Sequence, residues 1–155
     1  MNTHLALDDF ALFGLPRRFA LDRGELDSRR RALQAEVHPD RFAGADAAAR
    51  RAAMQSAVRV NEAYARLGDP LKRSAYLCEL AGTPIRAEDN TAMPAEFLRQ
   101  QMAWRESLDD AGSREEVDAV ALALANERRL AYERLADALD RHADFARAAQ
   151  EVRAL

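Results

Sequence analysis

The sequence predicts an all-α protein, and three observations lead to that prediction. Its 155 residues are rich in Ala, Leu, Arg and Glu, which are strong helix formers. Apolar residues recur at helical spacing, and no segment shows the alternation typical of a strand. The breaks between apolar segments are punctuated by Gly and Pro, as in Gly68-Asp69-Pro70 and Gly82-Thr83-Pro84. A chain of this length fits one compact domain or two small ones.

The first part of the chain predicts a short helical turn followed by a long helix. The apolar turn is stopped by Gly14. A helix from about Arg23 to Val37 comes next, because Asp22 and Glu25 have the spacing of a capping box. Pro39 ends that helix, since the residue before a proline avoids the helical region. Leu26, Leu33 and Val37 share one face of it, and Arg31 and Gln34 are expected to point away from that face.

A second long helix is predicted from about Ala47 to Leu67, with a loop at residues 38–46 before it. The two long helices would form an antiparallel hairpin, as neighbouring helices joined by a short loop usually do. A shorter third helix is expected from Leu71 to Leu80. The residues expected to share one face of the second helix are Met54, Ala57, Asn61, Tyr64 and Leu67.

The last part of the chain predicts a three-helix bundle. Pro94 suits the first position of a helix that runs to about Asp110. Ser113 and Glu116 have capping-box spacing, and the helix behind them would reach Leu139. A final helix starts near residue 143. The sequence therefore divides into an N-terminal domain at 1–81, a linker at 82–93 without periodicity, and a C-terminal helical domain at 94–155.

Composition and charge exclude several classes of protein. No apolar run approaches the roughly 20 residues that cross a bilayer, and the start of the chain is too short and polar for a signal peptide. The single cysteine, Cys78, excludes an internal disulfide and a multi-cysteine metal site. Residues 1–76 carry a net charge of +3 and residues 77–155 one of −6, which does not favour nucleic acid. We expect a cytoplasmic monomer that needs no cofactor or metal and binds neither nucleic acid nor membrane.

The pattern most informative about function is His38-Pro39-Asp40, in the loop between the two long helices. Arg29, Arg30 and Arg31 precede it, and Arg41 and Phe42 follow it. The chain then continues through Asn61-x-Ala63-Tyr64-x-x-Leu67-x-Asp69-Pro70-x-x-Arg73-x-x-Tyr76. A tripeptide alone is a weak signal, but this combination closely resembles a J-domain, the module that activates DnaK-type ATPase chaperones. The resemblance implies an antiparallel helical hairpin with short flanking helices.

Essentially the whole chain is similar to the HscB family, co-chaperones of iron–sulfur cluster biogenesis. The segments that carry this similarity are Phe10-x-Leu12-Phe13-Gly14-Leu15-Pro16-x-x-Phe19-x-Leu21-Asp22, Tyr76-Leu77-x-x-Leu80-x-Gly82, and Phe97-Leu98-x-x-Gln101-Met102-x-x-Arg105-Glu106-x-Leu108-Asp109. The resemblance implies that the first domain engages an HscA-type ATPase. It also implies that the second domain engages an IscU-type scaffold, on which clusters are assembled.

The residue types around the loop suit docking onto such an ATPase. Pro39 rigidifies the loop, and the Asp40 carboxylate can accept charge-assisted hydrogen bonds from an arginine of the partner. His38 can donate or accept through two different ring nitrogens. ATP hydrolysis would take place in the partner, so this chain would need no catalytic residues. The basic residues expected to face an acidic patch of the ATPase are Arg29, Arg30, Arg31 and Arg41.

For the second domain, the resemblance implies a scaffold-binding stripe of Leu98, Met102, Glu106 and Asp110. These residues recur every four positions, and an apolar spot with an acidic border is a plausible docking surface. Ala103 departs from the family pattern, because many relatives carry an acidic residue there. A second interpretation stays open, in which Leu98 and Met102 are core residues of the bundle.

Three other interpretations also stay open, two of the whole chain and one of the motif. The chain could be a general J-domain co-chaperone whose second domain binds another client. It could be a small hydrolase that uses His38 and Asp40 as an acid–base dyad, although it lacks a nucleophile, a second polar cluster and a Gly-rich phosphate loop. Finally, His38-Pro39-Asp40 could be a surface turn that only ends a helix.

Overall fold

The computed structural model describes residues 6–86 and 93–155, and every regular element in those two ranges is helical. A 3₁₀ turn at Pro39–Phe42 and a π-helical turn at Asp137–Arg141 join longer helices. The prediction of an all-α fold is confirmed. In the same ranges, no helix is long and apolar enough to cross a membrane. The α-helices are α1 (Asp9–Leu12), α2 (Arg23–Val37), α3 (Ala47–Gly68), α4 (Pro70–Leu80), α5 (Ala95–Asp109), α6 (Arg114–Ala136) and α7 (Phe145–Arg153).

The chain folds as two compact units, Met1–Tyr76 and Leu77–Leu155, and the division between them falls inside α4. Part of the predicted linker, residues 87–92, lies outside the described residues. The division into 1–81, 82–93 and 94–155 therefore stays a prediction.

The first unit is built on the antiparallel pair α2 and α3. Leu26 and Val37 are buried on α2, as its apolar spacing predicts. The predicted face of α3 is wrong at Met54, which is largely exposed, whereas Leu67 on that face is fully buried. Its buried face consists mainly of small residues, which let two helix backbones approach closely. These buried residues of α3 are Ala53, Ser56, Val60, Ala63 and Leu67.

Helix α1 is held against the hairpin by a buried carboxylate. Asp9 is fully buried, and its two oxygens lie 2.7 Å from Arg59 Nη2 and 3.0 Å from Arg66 Nη1. The backbone N–H of Asp9 donates to the Tyr76 hydroxyl at 3.0 Å. A buried charge is tolerated when it is paired and hydrogen-bonded. Here Arg66 donates a hydrogen bond to Oδ2 and Arg59 forms an ion pair with Oδ1, and both arginines belong to α3. Helix α1, which precedes Gly14 with its φ of +64°, therefore packs as part of the hairpin domain.

Most buried residues of the second unit lie where α6, the π-helical turn and α7 meet. The predicted end of α6 at Leu139 is three residues too late, because the α-helix ends at Ala136 and continues as the π-helical turn. The N–H of His142 donates to the carbonyl of Asp137, a spacing of five residues that defines this turn. Helix α5 has no buried residue. The buried side chains of this unit include Leu135, Ala138, Leu139, Ala148, Ala149 and Val152.

Candidate functional site

The His38-Pro39-Asp40 motif lies in the turn at the end of the hairpin. His38 follows the last residue of α2 and has extended backbone angles (φ −60°, ψ 128°), because it precedes a proline. Pro39 opens the 3₁₀ turn, in which the N–H of Arg41 donates to the carbonyl of His38 at 3.0 Å. The N–H of Ala43 donates to the carbonyl of Asp40 at 3.3 Å. The sequence thus dictates a tight corner, in which His38 directly follows α2 and Pro39 and Asp40 begin the 3₁₀ turn.

Both polar side chains of the motif face solvent. The side chain of His38 is 58% exposed and that of Asp40 is 89% exposed. Nδ1 of His38 accepts a hydrogen bond from the backbone N–H of Asp40 at 3.3 Å, which leaves Nε2 to carry the proton of the neutral ring. The same Nδ1 lies 3.5 Å from Oδ2 of Asp40, so a protonated ring would donate to the carboxylate instead. In the neutral form the carboxylate is open to a partner's cation.

Arg41 turns back toward α2 instead of away from the protein. Its Nη1 donates to the carbonyl of Ala35 at 3.1 Å. The last four carbonyls of a helix have no partner within the helix, and Ala35 is one of these residues. The Arg41 side chain therefore caps the end of α2.

The three consecutive arginines have different surroundings. Arg30 is half-buried, and its guanidinium carbon lies 4.1 Å from the ring centre of Tyr64 on α3. Arg29 is exposed and pairs with Glu25 at 3.3 Å. Arg31 is exposed and makes no ion pair or hydrogen bond within the described residues. It lies seven positions before His38, which is about 10 Å along a helix axis.

A surface cleft of about 470 Å³ lies directly behind the motif. At one side Gln34 donates from Nε2 to Oδ1 of Asn61 at 3.1 Å, which joins α2 to α3. Gln34 is expected to point away from the face of Leu26, Leu33 and Val37, and its side chain nevertheless reaches α3. Asn61 has the structural role that a residue between two helices suggests. The residues that line the cleft are Gln34, Ala35, Val37, His38, Pro39, Ala57 and Asn61.

The cleft does not support the hydrolase interpretation. It contains no Ser, Thr or Cys that His38 could activate as a nucleophile. Within the described ranges, no three His, Cys, Asp or Glu residues come together in a way that could hold a metal ion.

The second candidate surface lies on α5. Leu98 is 51% exposed and Met102 is 62% exposed, so neither is a core residue of the bundle. Glu106 is exposed on the same helix, and Asp110 is its exposed C-terminal cap. Residues four apart lie one above the other on a helix, which places the apolar pair beside the acidic residues. The stripe therefore faces solvent along its whole length.

Sequence reasoning missed the contacts that hold the motif in place. The side-chain bond from Arg41 to Ala35 and the stacking of Arg30 on Tyr64 both involve residues expected to contact a partner. A proline at position 39 signals that α2 ends there and that its carbonyls need donors. Nothing in the sequence shows which of the nearby arginines supplies one.

Comparisons with known proteins agree across both units. A family model described as the HSCB C-terminal oligomerisation domain matches residues 93–155. The chain is 54% identical over 149 residues to the co-chaperone protein HscB homolog of Burkholderia multivorans, covering 94% of this chain and 85% of that protein. It is 50% identical over 151 residues to the HscB homolog of Bordetella pertussis, covering 96% and 89%.

Two solved structures also match nearly the whole fold. The crystal structure of human co-chaperone protein HscB has a TM-score of 0.88 at 27% identity, covering 96% of this chain and 75% of the human one. Chaperone HscB from Vibrio cholerae has a TM-score of 0.86 at 37% identity, covering 94% and 88%. The predicted N-terminal J-domain and C-terminal helical domain are confirmed by this match.

Proposed function

This chain belongs to the HscB family of co-chaperones, and we propose that it stimulates ATP hydrolysis by an HscA- or DnaK-type chaperone and delivers an IscU-type scaffold to that chaperone during iron–sulfur cluster assembly or transfer. HscB co-chaperones are not catalytic, and this chain is therefore not an enzyme. Its membership implies a partner of the Hsp70 type. The particular chaperone and scaffold are the proposed part.

The observation that carries the first half of the proposal is the solvent-facing corner of His38, Pro39 and Asp40. A carboxylate that is 89% exposed on a proline-stiffened turn needs little rearrangement to meet an arginine of the chaperone. Binding would favour whichever chaperone state presents that arginine, and this differential affinity shifts the chaperone toward its hydrolysis-competent conformation.

Charge supports the same surface. Arg31 is exposed with its guanidinium unpaired within the described residues, and Arg29 is exposed with one weak pair to Glu25. An ion pair between two exposed side chains contributes only about 0.2–1 kcal/mol, so Arg29 can exchange Glu25 for an acidic partner group at little cost. These two arginines would speed the encounter with an acidic patch.

The second half of the proposal rests on the stripe of Leu98, Met102, Glu106 and Asp110. Leu98 and Met102 are each more than half exposed, so a partner can cover them without disturbing the core of the bundle. The acidic residues beside it would select a partner with a basic rim. We propose that this stripe holds the scaffold.

The test of the first half is steady-state ATP turnover by an HscA-type chaperone with and without this protein. Turnover should rise with the intact protein, and Asp40→Asn should abolish the rise. Asp46→Asn is the matched control, because Asp46 caps α3 through the N–H of Ala49 and asparagine caps equally well. No rise with the intact protein would contradict the proposal.

The test of the second half is calorimetric titration with an IscU-type scaffold. The double variant Leu98→Ala, Met102→Ala should lose binding, whereas Leu122→Ala should keep it, because Leu122 is a 73% exposed leucine on α6. Stimulated turnover without any scaffold binding would favour the alternative, a general J-domain co-chaperone with another client.

We also propose that the protein works in the cytoplasm as a monomer. Each proposed surface is formed by residues of one copy. Sedimentation at several concentrations tests the monomer against the self-association that the name of the C-terminal domain family suggests. A mass that rises with concentration would contradict the monomer.

A further inference from the structure

We propose that Arg41 is a positioning residue that holds the Asp40 carboxylate in place, and not a charge that docks on the chaperone. This inference rests on the proposed function of the His38-Pro39-Asp40 corner. It separates Arg41 from Arg31, although both are basic, exposed and near the motif.

The first support is that Arg41 is tied to the end of α2 twice. Its backbone N–H donates to the carbonyl of His38 at 3.0 Å, and its side chain donates to the carbonyl of Ala35 at 3.1 Å. The two acceptors lie on either side of the last residue of α2. Together these bonds fix both the position and the direction of the chain immediately after Asp40.

The second support is that few other contacts fix the orientation of the His38-Pro39-Asp40 motif. The four residues of the 3₁₀ turn include none that is buried. The side chains of His38 and Asp40 both point into solvent, so burial does not fix their orientation. The remaining local bonds are the long 3.3 Å contacts from the N–H of Asp40 and from the N–H of Ala43. Loss of the side-chain tether would leave the corner with these two long contacts and the one backbone bond from the N–H of Arg41 to the carbonyl of His38.

The third support is electrostatic. A guanidinium at the C-terminal end of a helix is stabilised by the partial negative charge of the unpaired carbonyls. Moving the Arg41 side chain onto a partner would return the Ala35 carbonyl to solvent and loosen the turn. Arg31 makes no comparable bond within the described residues, so it can bind a partner without disturbing the hairpin.

The experiment compares Arg41→Met with Arg31→Met. Methionine keeps the length of the unbranched apolar stem of arginine and removes the hydrogen-bond donors and the charge. In the free protein, NMR measures hydrogen exchange at the backbone amides of positions 41 and 43. Arg41→Met should speed exchange at both by roughly fivefold, the effect of one lost hydrogen bond. Arg31→Met should leave both unchanged.

With the HscA-type chaperone, the two variants should differ in kind. Arg41→Met should lower the maximal stimulation at saturating protein by about tenfold and keep the salt dependence of the half-saturating concentration, and Arg41→Lys should restore most of it, because lysine also donates to terminal carbonyls. Arg31→Met should keep the maximum, raise the half-saturating concentration and weaken its salt dependence.

Two results would overturn the inference. One is unchanged amide exchange in Arg41→Met; the other is an Arg41→Met variant that behaves like Arg31→Met toward the chaperone. An intact protein that fails to stimulate the chaperone contradicts the proposed function instead, and the exchange measurement still decides whether the tether exists.

Discussion

The guanidinium of Arg30 lies over the ring of Tyr64, with 4.1 Å between the guanidinium carbon and the ring centre. Arg23 covers the same ring at 4.9 Å and donates to the Tyr64 hydroxyl at 2.7 Å. That hydroxyl in turn donates to Asp27 at 2.8 Å. One tyrosine of α3 therefore joins three charged residues of α2. Of the three consecutive arginines, Arg30 thus stabilises the hairpin.

Substitution of Tyr64 should show how much this cluster stabilises the hairpin. Tyr64→Phe removes the hydroxyl bonds and should lower the free energy of unfolding by about 1 kcal/mol. Tyr64→Leu also removes the ring under two cations and should lower it by about 2 kcal/mol. Urea unfolding followed by circular dichroism measures both. Equal losses for the two variants would mean that the cation–ring contacts contribute nothing.

The buried carboxylate of Asp9 should be the most sensitive charged site of the first unit. Asp9→Asn leaves Arg59 and Arg66 without their anion, and breaking a buried pair costs about 3–5 kcal/mol. We expect about 3 kcal/mol, because Arg66 is partly exposed and regains water. Glu62→Gln, an exposed change on α3, is the control and should stay within about 0.5 kcal/mol. Similar unfolding midpoints for the two variants would contradict this role.

Local signals in the sequence placed the helix ends well. Asp22 caps α2 as its spacing predicts, with the N–H of Glu25 donating to Oδ1 at 2.8 Å. Ser113 caps α6 in the same way, although the Glu116 carboxylate accepts from the N–H of Gly112 rather than from Ser113 itself. Caps and prolines act over three or four residues, so one sequence contains all the information that they need.

Contacts between distant parts of the chain were not predictable. Asp9 pairs with residues 50 and 57 positions away, and no spacing rule connects them. The buried face of α3 was misjudged because small residues, including Ala53 and Ala63, fill it while Met54 faces solvent. For the candidate site, the motif and the spacing of the stripe could be identified from the sequence, but the exposure of Leu98 and Met102 could not. The roles of Arg30 and Arg41 depend on which carbonyl or ring lies opposite them.

The exposed stripe on α5 should tolerate substitution without loss of stability. The double variant Leu98→Ala, Met102→Ala should change the free energy of unfolding by less than about 0.5 kcal/mol, because both side chains are mostly in water already. Leu135→Ala, in the buried part of the second unit, should cost about 3 kcal/mol. Thermal and urea unfolding measure the contrast. A large loss in the double variant would show that any binding defect follows from unfolding.

The thiol of Cys78 should be nearly inert in the folded protein. Burial raises its pKa from 9.0 to about 11, even though the nearby charge of Arg153 acts in the other direction. At pH 8 the thiolate fraction should therefore be about 100-fold smaller than for a thiol with the ordinary value. Alkylation by iodoacetamide at pH 8 should be slow in buffer and at least 100-fold faster in urea. Equal rates would contradict the burial of this residue.

Protonation of Asp8 in acid should weaken its ion pair with Arg17 and make the first unit less stable. Burial alone would raise the pKa of the Asp8 carboxyl, but the hydrogen bond from Arg17 at 2.7 Å and the amides of Ala11 and Phe10 lower it below its usual 3.8. A carboxyl with a lowered pKa in the folded state stabilises the fold above its unfolded pKa, and this contribution is lost as the pH falls through 3.8 and below.

Asp8→Asn isolates this effect, because asparagine keeps the N-terminal cap of α1 and removes only the charge. The urea midpoint should fall less steeply between pH 5 and pH 3 in the variant than in the wild type. Arg17→Gln, which removes the partner from the other side, should flatten the profile in the same direction. Parallel profiles for all three proteins would mean that the pair does not form in solution.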